Sequence, residues 1–521
     1  MLIPHNAPLH TLVLLTMLPV TVLIVLAALA LLWGLLKKIH RHNFMIHKQP
    51  PSPPGLPIIG NLHQLGALPH RSLARLAERH GPVMLLRLGF EPTLVLSSAE
   101  AAKEALKTRD VDYSSRPLSF CAGKLTYNYV DVAFTPYSEY WREMRKICVV
   151  ELFSLKRVQS FQAVRNEWID AFIQSIAVSA GKREAVDLGE VGFELNASIT
   201  FETAFGRSFK GSLMDGKGFE KLLHEATAVV GSFAAADFFP YVGWMVDKLS
   251  GLHSRLDRVF ERFDGFFENV IKEHLNSEKG NDEHEDIVDV LLRIQREHVQ
   301  SGATWFTKNN IKGILQNIFV GGVDTGAITM VWAMAELVKN PEVMKKVQDE
   351  IRNWTSGRER VTEKDIDNLK YFKMVLKETL RLHPVVPLLV PRRTSAKTHM
   401  LGYPIQEGVR VFINAWAIAR DPKIWDQPEK FIPERFNDSL VDYRGQHFEL
   451  LPFGGGRRIC PGINMAMATI ELVLANMLHR FDWKLPDGMK AEELDMEEGA
   501  GITTFKKVPL KLVPVDNYYQ S

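Results

Sequence analysis

The chain has 521 residues, 46% of them hydrophobic and 24% charged, and 63 Lys and Arg against 61 Asp and Glu leave a net charge of +2. These are globular proportions that exclude bulk disorder, and the near-balance of charge argues against a dedicated nucleic-acid binder. Three cysteines, Cys121, Cys148 and Cys460, make no disulfide framework in so long a chain and point to a reducing compartment.

The first predicted element is an anchor. Residues 11–36, TLVLLTMLPVTVLIVLAALALLWGLL, run for 26 positions without a charge. At ~1.5 Å per residue such a helix reaches about 39 Å, enough to cross a ~30 Å hydrocarbon layer with some tilt. A cleaved signal peptide would need a basic start and a shorter apolar run, and Pro19 is tolerated in a bilayer helix. Lys37, Lys38, Arg41 and Lys48 all follow the run, so that flank is expected in the cytosol and residues 1–10 in the lumen. The sequons at Asn196, Asn353 and Asn437 are then expected to carry no glycan. His40, His42 and His47 belong to the wet basic patch and are not read as metal ligands. The prolines of QPPSPPGLPIIGN, residues 49–61, fix φ and predict a stiff spacer. The expected layout is a transmembrane helix over 11–36, a basic and proline-rich linker over 37–61 and one cytosolic domain over 62–521.

Within that domain, β-like runs occupy 83–89, 93–98, 409–417 and 508–515, and amphipathic spacing predicts helices through 71–81 and 261–275. The fold class is mainly α, with small sheets to one side. The longest predicted helix spans 310–339, capped by Asn309 or Asn310 and closed before Pro341, which starts another. It is apolar nearly all round and so is expected to be central. Its middle, GGVDT at 321–325, holds two glycines that each cost ~1 kcal/mol of helix propensity. Either a neighbouring helix packs closely there, or a ligand lies against the backbone. Asp324 and Thr325 beside the glycines favour the ligand, because a buried carboxylate without a purpose is rare.

Near the C-terminus stands FGGGRRICPG, 453–462. A P-loop needs Lys-Ser/Thr after its glycines and a dinucleotide fingerprint needs other spacings, so neither fits. Residues 461–478 read as a helix with Pro461 in its first turn. Cys460 is therefore expected at a helix N-terminus, where free N–H groups favour a thiolate; an inert buried cysteine is the alternative.

Further motifs decide between them. Trp141 and Arg145 share a helix face in WREMRK, Glu378 and Arg381 stand at i,i+3 in ETLR, and PERF supplies Arg435. With GGVDT, Phe453, Gly456, Arg458, Cys460 and Gly462, in this order, the chain from the proline spacer to its C-terminus resembles the cytochrome P-450 family of haem-thiolate monooxygenases. Its anchor, PPGLP spacer and cysteine motif are similar to plant microsomal A-type enzymes of specialised metabolism.

The resemblance implies a cytochrome P-450 fold with haem b, its iron held by the Cys460 thiolate. Phe453 would pack near the sulfur and Gly456 would permit the turn that aims it. Trp141, Arg145, Arg392 and Arg458 would hold the two haem propionates. Glu378, Arg381 and Arg435 would form a buried structural salt-bridge group. Asp324 and Thr325 would manage protons during oxygen activation. Many relatives carry a second hydroxyl residue where this chain has Gly326, whereas Thr325 argues against a peroxide-rearranging isomerase or dehydratase. The implied reaction uses O2 and electrons from NADPH through a separate cytochrome P-450 reductase, at the endoplasmic reticulum membrane, and hydroxylates or epoxidises a lipophilic metabolite. Lys146, Arg157 and Arg457 would offer a basic docking face. Phe120, Tyr127, Phe134, Phe319, Val323, Val386, Leu389, Ile502 and Thr503 would line the substrate pocket. A haem sensor, an electron carrier or an inactive scaffold fits the intact motifs less well.

Overall fold

The computed structural model describes residues 49–206, 216–276 and 285–517, so the expected anchor at 11–36 lies outside the described residues. The chain divides into a compact unit of residues 51–401 and 405–521 and a second unit of 1–50 and 402–404. In the second, Gly402 takes a left-handed φ of +86°. All elements named below belong to the first.

That unit takes in residues from Pro51 onward, including most of the expected proline-rich spacer. Asn61 is the reason: it is 2% exposed, its Nδ2 donates to the Pro53 carbonyl at 3.1 Å and its Oδ1 accepts the Arg87 N–H at 2.9 Å. One amide side chain thus ties the proline stretch to the first strand.

In chain order the main elements are α1 (Pro69–His80), β1 (Val83–Leu88), β2 (Glu91–Leu96), α2 (Glu139–Lys146), β3 (Val186–Asp187), α3 (Leu188–Phe205), α4 (Gly216–Val230), α5 (Leu252–Asn276), α6 (Lys308–Lys339), α7 (Lys370–Leu382), β4 (Arg392–Arg393), β5 (Arg410–Ile413), α8 (Ile463–Arg480), β6 (Phe481–Lys484) and β7 (Lys511–Asp516). One sheet has the order β1-β2-β5-β4, with β2 and β5 parallel and the outer pairs antiparallel; a second has the order β3-β7-β6. β5 stops short of the predicted 409–417 because Asn414 accepts the Ala417 N–H at 3.1 Å and starts a helical turn at Ala415–Ile418.

α6 runs for 32 residues, roughly 48 Å at 1.5 Å per residue. Its cap is Thr307, whose N–H donates to Asn310 Oδ1 at 2.7 Å; Asn310 completes the capping box rather than capping the helix itself. By length and composition α6 could cross a membrane, but it is mostly buried among α3, α5, α7 and α8. Its apolar circumference is the mark of a core helix. Phe319 stands in the middle of an aromatic cluster, with ring centroids 5.1 Å from Phe201, 5.3 Å from Phe205 and 6.0 Å from Phe267. α8 starts at Ile463 behind Gly462, so Pro461, expected in its first turn, lies with Cys460 on the preceding loop.

Candidate active site

The loop carrying Cys460 is closed by backbone bonds. The Cys460 N–H donates to the Phe453 carbonyl at 3.0 Å, and the Ile459 N–H to Gly456 at 3.1 Å. Gly456 takes φ +65°, and a Cβ there would lie 2.3 Å from the Leu106 carbonyl oxygen. No other residue fits that turn without moving the backbone. Arg145, on α2, reaches across to donate to the Ile459 carbonyl at 2.5 Å. Burial pushes the Cys460 thiol above its ordinary value, while the Gly462 N–H and Arg145 pull it back. The expected bias toward thiolate is outweighed by desolvation, so deprotonation needs a partner such as a metal.

Four arginines converge beside this loop. Arg458 is 8% exposed; it donates to the carbonyls of Ser114 at 2.8 Å and Thr135 at 2.7 Å, and its guanidinium lies 3.9 Å over the Trp141 ring. Arg392 donates to the Gly455 carbonyl at 2.7 Å and to Asp110 Oδ1 at 3.2 Å. Arg116, which sequence reasoning missed, donates to the carbonyls of Ala133, Val390 and Pro391 at 2.6–2.8 Å. Burial lowers Arg392 to about 10 and Arg458 to about 9. Arg116 is held well below its ordinary value by burial, then by Arg458 and Arg392.

Two carboxylates answer these four cations, and both are otherwise engaged. Asp131 accepts the N–H groups of Ala133 at 3.1 Å and Phe134 at 3.0 Å, and burial pushes its carboxyl up. Asp110 also accepts the Arg457 N–H at 2.8 Å. The cluster therefore has room for about two more negative charges, and a porphyrin bearing two carboxylates fits that donor set. Trp141 is not free to join it: its indole N–H donates to the Val132 carbonyl at 2.9 Å, so its part here is to support Arg458.

On α6, the two readings of GGVDT separate by position. A Cβ at Gly321 would meet nothing within 4 Å, and one at Gly322 only Thr200 Oγ1 at 3.7 Å. Neither position is crowded enough for close helix packing to require a glycine there. The close-packed glycine is Gly326, where a Cβ would lie 2.6 Å from Asn196 Oδ1. A second hydroxyl residue is missing because Asn196 occupies its space. Thr325 Oγ1 donates to the Gly321 carbonyl at 2.7 Å. Burial pushes the Asp324 carboxyl up, against the opposing pull of His224 and of Thr503, whose Oγ1 is 3.5 Å from Asp324 Oδ2.

Glu378, Arg381 and Arg435 meet in one ion-pair group. Arg381 clamps Glu378 through Nε at 2.7 Å and Nη2 at 2.8 Å, and Arg435 Nε adds a third bond at 2.9 Å. Glu378 and Arg381 are fully buried.

The structure corrects several pocket assignments. Phe319 and Val323 are both 0% exposed, and Phe319 is spent on the aromatic core. Phe120 packs against His253 with ring centroids 4.5 Å apart, and the Tyr127 hydroxyl donates to Asp264 at 2.9 Å, so both point at α5. Phe134, Val386, Leu389 and Ile502 are half-buried, and Thr503 is brought to Asp324. Of the expected docking cations, Lys146 is exposed, whereas Arg157 pairs with Glu285 at 3.5 Å and Arg457 with Asp110 at 3.6 Å.

Comparison with known proteins identifies the family. A family model described as Cytochrome P450 matches residues 50–512. Among proteins of Arabidopsis thaliana, the chain is 50% identical to Cytochrome P450 71B26 over 481 residues, 92% of this chain and 96% of that one. It is 52% identical to Cytochrome P450 71B20 over 470 residues, 89% and 93% of the two chains. With Cytochrome P450 71B19 the identity is 51% over 483 residues, 92% and 95%.

Proposed function

Because the chain belongs to the cytochrome P-450 family of monooxygenases, whose haem b is bound through a cysteine thiolate, we propose that it hydroxylates or epoxidises a lipophilic plant-type metabolite such as a terpenoid, alkaloid or phenylpropanoid. One atom of O2 enters the substrate, and NADPH supplies electrons through a separate reductase at the endoplasmic reticulum membrane. The observation that carries this reading is the arginine cluster: four buried or half-buried guanidiniums face two occupied carboxylates next to the loop that presents Cys460.

Cys460 would hold the iron, and Arg116, Arg145, Arg392 and Arg458 the two propionates. When bound, the haem supplies the oxygen-activating chemistry. The chain supplies the rest. Gly456 fixes the direction of the sulfur, and the Gly462 N–H and Arg145 favour its negative charge. Burial biases the Asp324 carboxyl toward its protonated form, which suits it to pass a proton toward the site. The Thr325 hydroxyl gives its hydrogen to Gly321 and leaves its oxygen free to accept a bond. Open space beside Gly321 admits an apolar molecule against the helix backbone, where no side chain would shield it.

The carbon monoxide complex of the reduced protein is expected to show the thiolate-type absorption band, and Cys460→Ser to abolish it. A normal band from that variant refutes the ligand assignment. The reaction class is tested in membranes that contain reductase and a library of lipophilic metabolites. Product that forms without NADPH and reductase would instead favour a haem-thiolate isomerase or dehydratase.

A further inference from the structure

In the four-stranded sheet, Arg393 of β4 and Arg410 of β5 are direct register partners. Like charges facing each other across an antiparallel pair are destabilising unless something neutralises them. Arg410 is 7% exposed, and its Nε has no hydrogen-bond partner. Its guanidinium lies 4.6 Å over the Phe238 ring. Among the described residues, neither guanidinium has an ion-pair or hydrogen-bond partner. Two carboxylates are near without contact. Asp237 gives an oxygen to the Phe120 N–H at 2.8 Å, and Glu91 stands at the start of β2. Burial pushes Arg410 below its ordinary value, Asp237 and Glu91 pull it back, and Arg393 pushes it further down. A buried donor left without a partner is costly, so a site that keeps the buried Arg410 Nε unpaired beside the half-buried Arg393 is built for an anion.

We propose that Arg393 and Arg410 form a binding site for a phosphate-class oxyanion, separate from the cysteine loop and its arginines. Two guanidinium forks on one group need more than the two oxygens of a carboxylate, and a phosphate presents three or more. The ligand is either a free phosphate compound or the phosphate of a lipid headgroup. Phe233, which is 52% exposed and stacks on Phe238 at 4.5 Å, is an apolar neighbour suited to an acyl chain.

The test uses the full-length, haem-loaded protein in a nonionic detergent. Thermal midpoint and hydrogen exchange of the two strands are followed against inorganic phosphate, with chloride at equal ionic strength as control, and against short-chain phosphatidic acid, with phosphatidylcholine as control. The wild type is expected to be stabilised by a phosphate probe and not by its control. Half-saturation should need at least tenfold more probe in Arg393→Gln and Arg410→Gln. Equal action of phosphate and phosphatidic acid assigns a soluble ligand; action of phosphatidic acid alone assigns a headgroup. If Arg410→Gln does not fold, the half-buried Arg393→Gln decides. Unchanged half-saturation in that variant, or no difference between phosphate probes and controls in the wild type, overturns the proposal.

Discussion

Gly326 shows how much one missing side chain can specify. It follows Thr325 where the family resemblance leads one to expect a second hydroxyl, and the sequence offers no reason for the glycine. The reason lies on α3: Asn196 is 5% exposed, with Nδ2 donating to the Gly192 carbonyl at 2.8 Å and Oδ1 in the space a Cβ would take. Gly326→Ala is therefore expected to destabilise the fold by about 1–3 kcal/mol through overpacking, despite the better helix propensity of alanine. The thermal midpoint of the haem-loaded protein checks this. Adding Asn196→Ala should recover part of the loss, whereas additive losses would show that the two residues do not compete for space.

At the scale of elements, the Glu378 group joins α7 to the segment that carries Arg435. The carboxylate takes three guanidinium bonds and also the Ile432 N–H at 2.8 Å. Arg381 spends its remaining donors on the carbonyls of Ala419, Pro428 and Lys430, at 2.7, 2.8 and 3.1 Å. Glu378→Gln leaves two buried cations without a counter-charge, and the expected cost is about 3–5 kcal/mol, read as a lowered midpoint and weaker haem retention. The exposed pair Arg360–Asp170, at 2.7 Å with half-exposed partners, is the contrast: Arg360→Gln should change stability by less than ~1 kcal/mol. Legibility follows the same division. Patterns along one element could be read, such as the buried α6, the i,i+3 pair in α7 and the cysteine loop. Partners from distant segments could not: Arg116 stands in SSRP with no acidic neighbour in sequence, and the ring faces of Phe319 and Tyr127 turn toward helices that periodicity does not place.

For the whole molecule, the telling contact joins residues 428 positions apart. Glu498 accepts from His70 Nε2 at 2.9 Å and from Arg71 Nε at 2.7 Å, both on α1, near the opposite end of the chain. The segment just after Glu498 carries Thr503, which meets Asp324, and Thr504, which donates to the Pro384 carbonyl at 3.0 Å. One ion-pair group thus holds the C-terminal loop where it reaches the site. Burial alone would raise the Glu498 carboxyl, but the bonds from His70 and Arg71 outweigh it and bring the value from 4.5 down to about 2. A carboxyl depressed on folding contributes stability that is present above its unfolded value and lost as pH falls toward the folded one. At 1.36 kcal/mol per unit, the contribution is roughly 3 kcal/mol, present at neutral pH and lost between about 4.5 and about 2. Glu498→Gln should therefore lie well below the wild type in midpoint at pH 7, with the gap closing as the solution is acidified through that window. A gap that keeps its size from pH 7 down to the acid limit would mean that the contact acts through packing and not through charge.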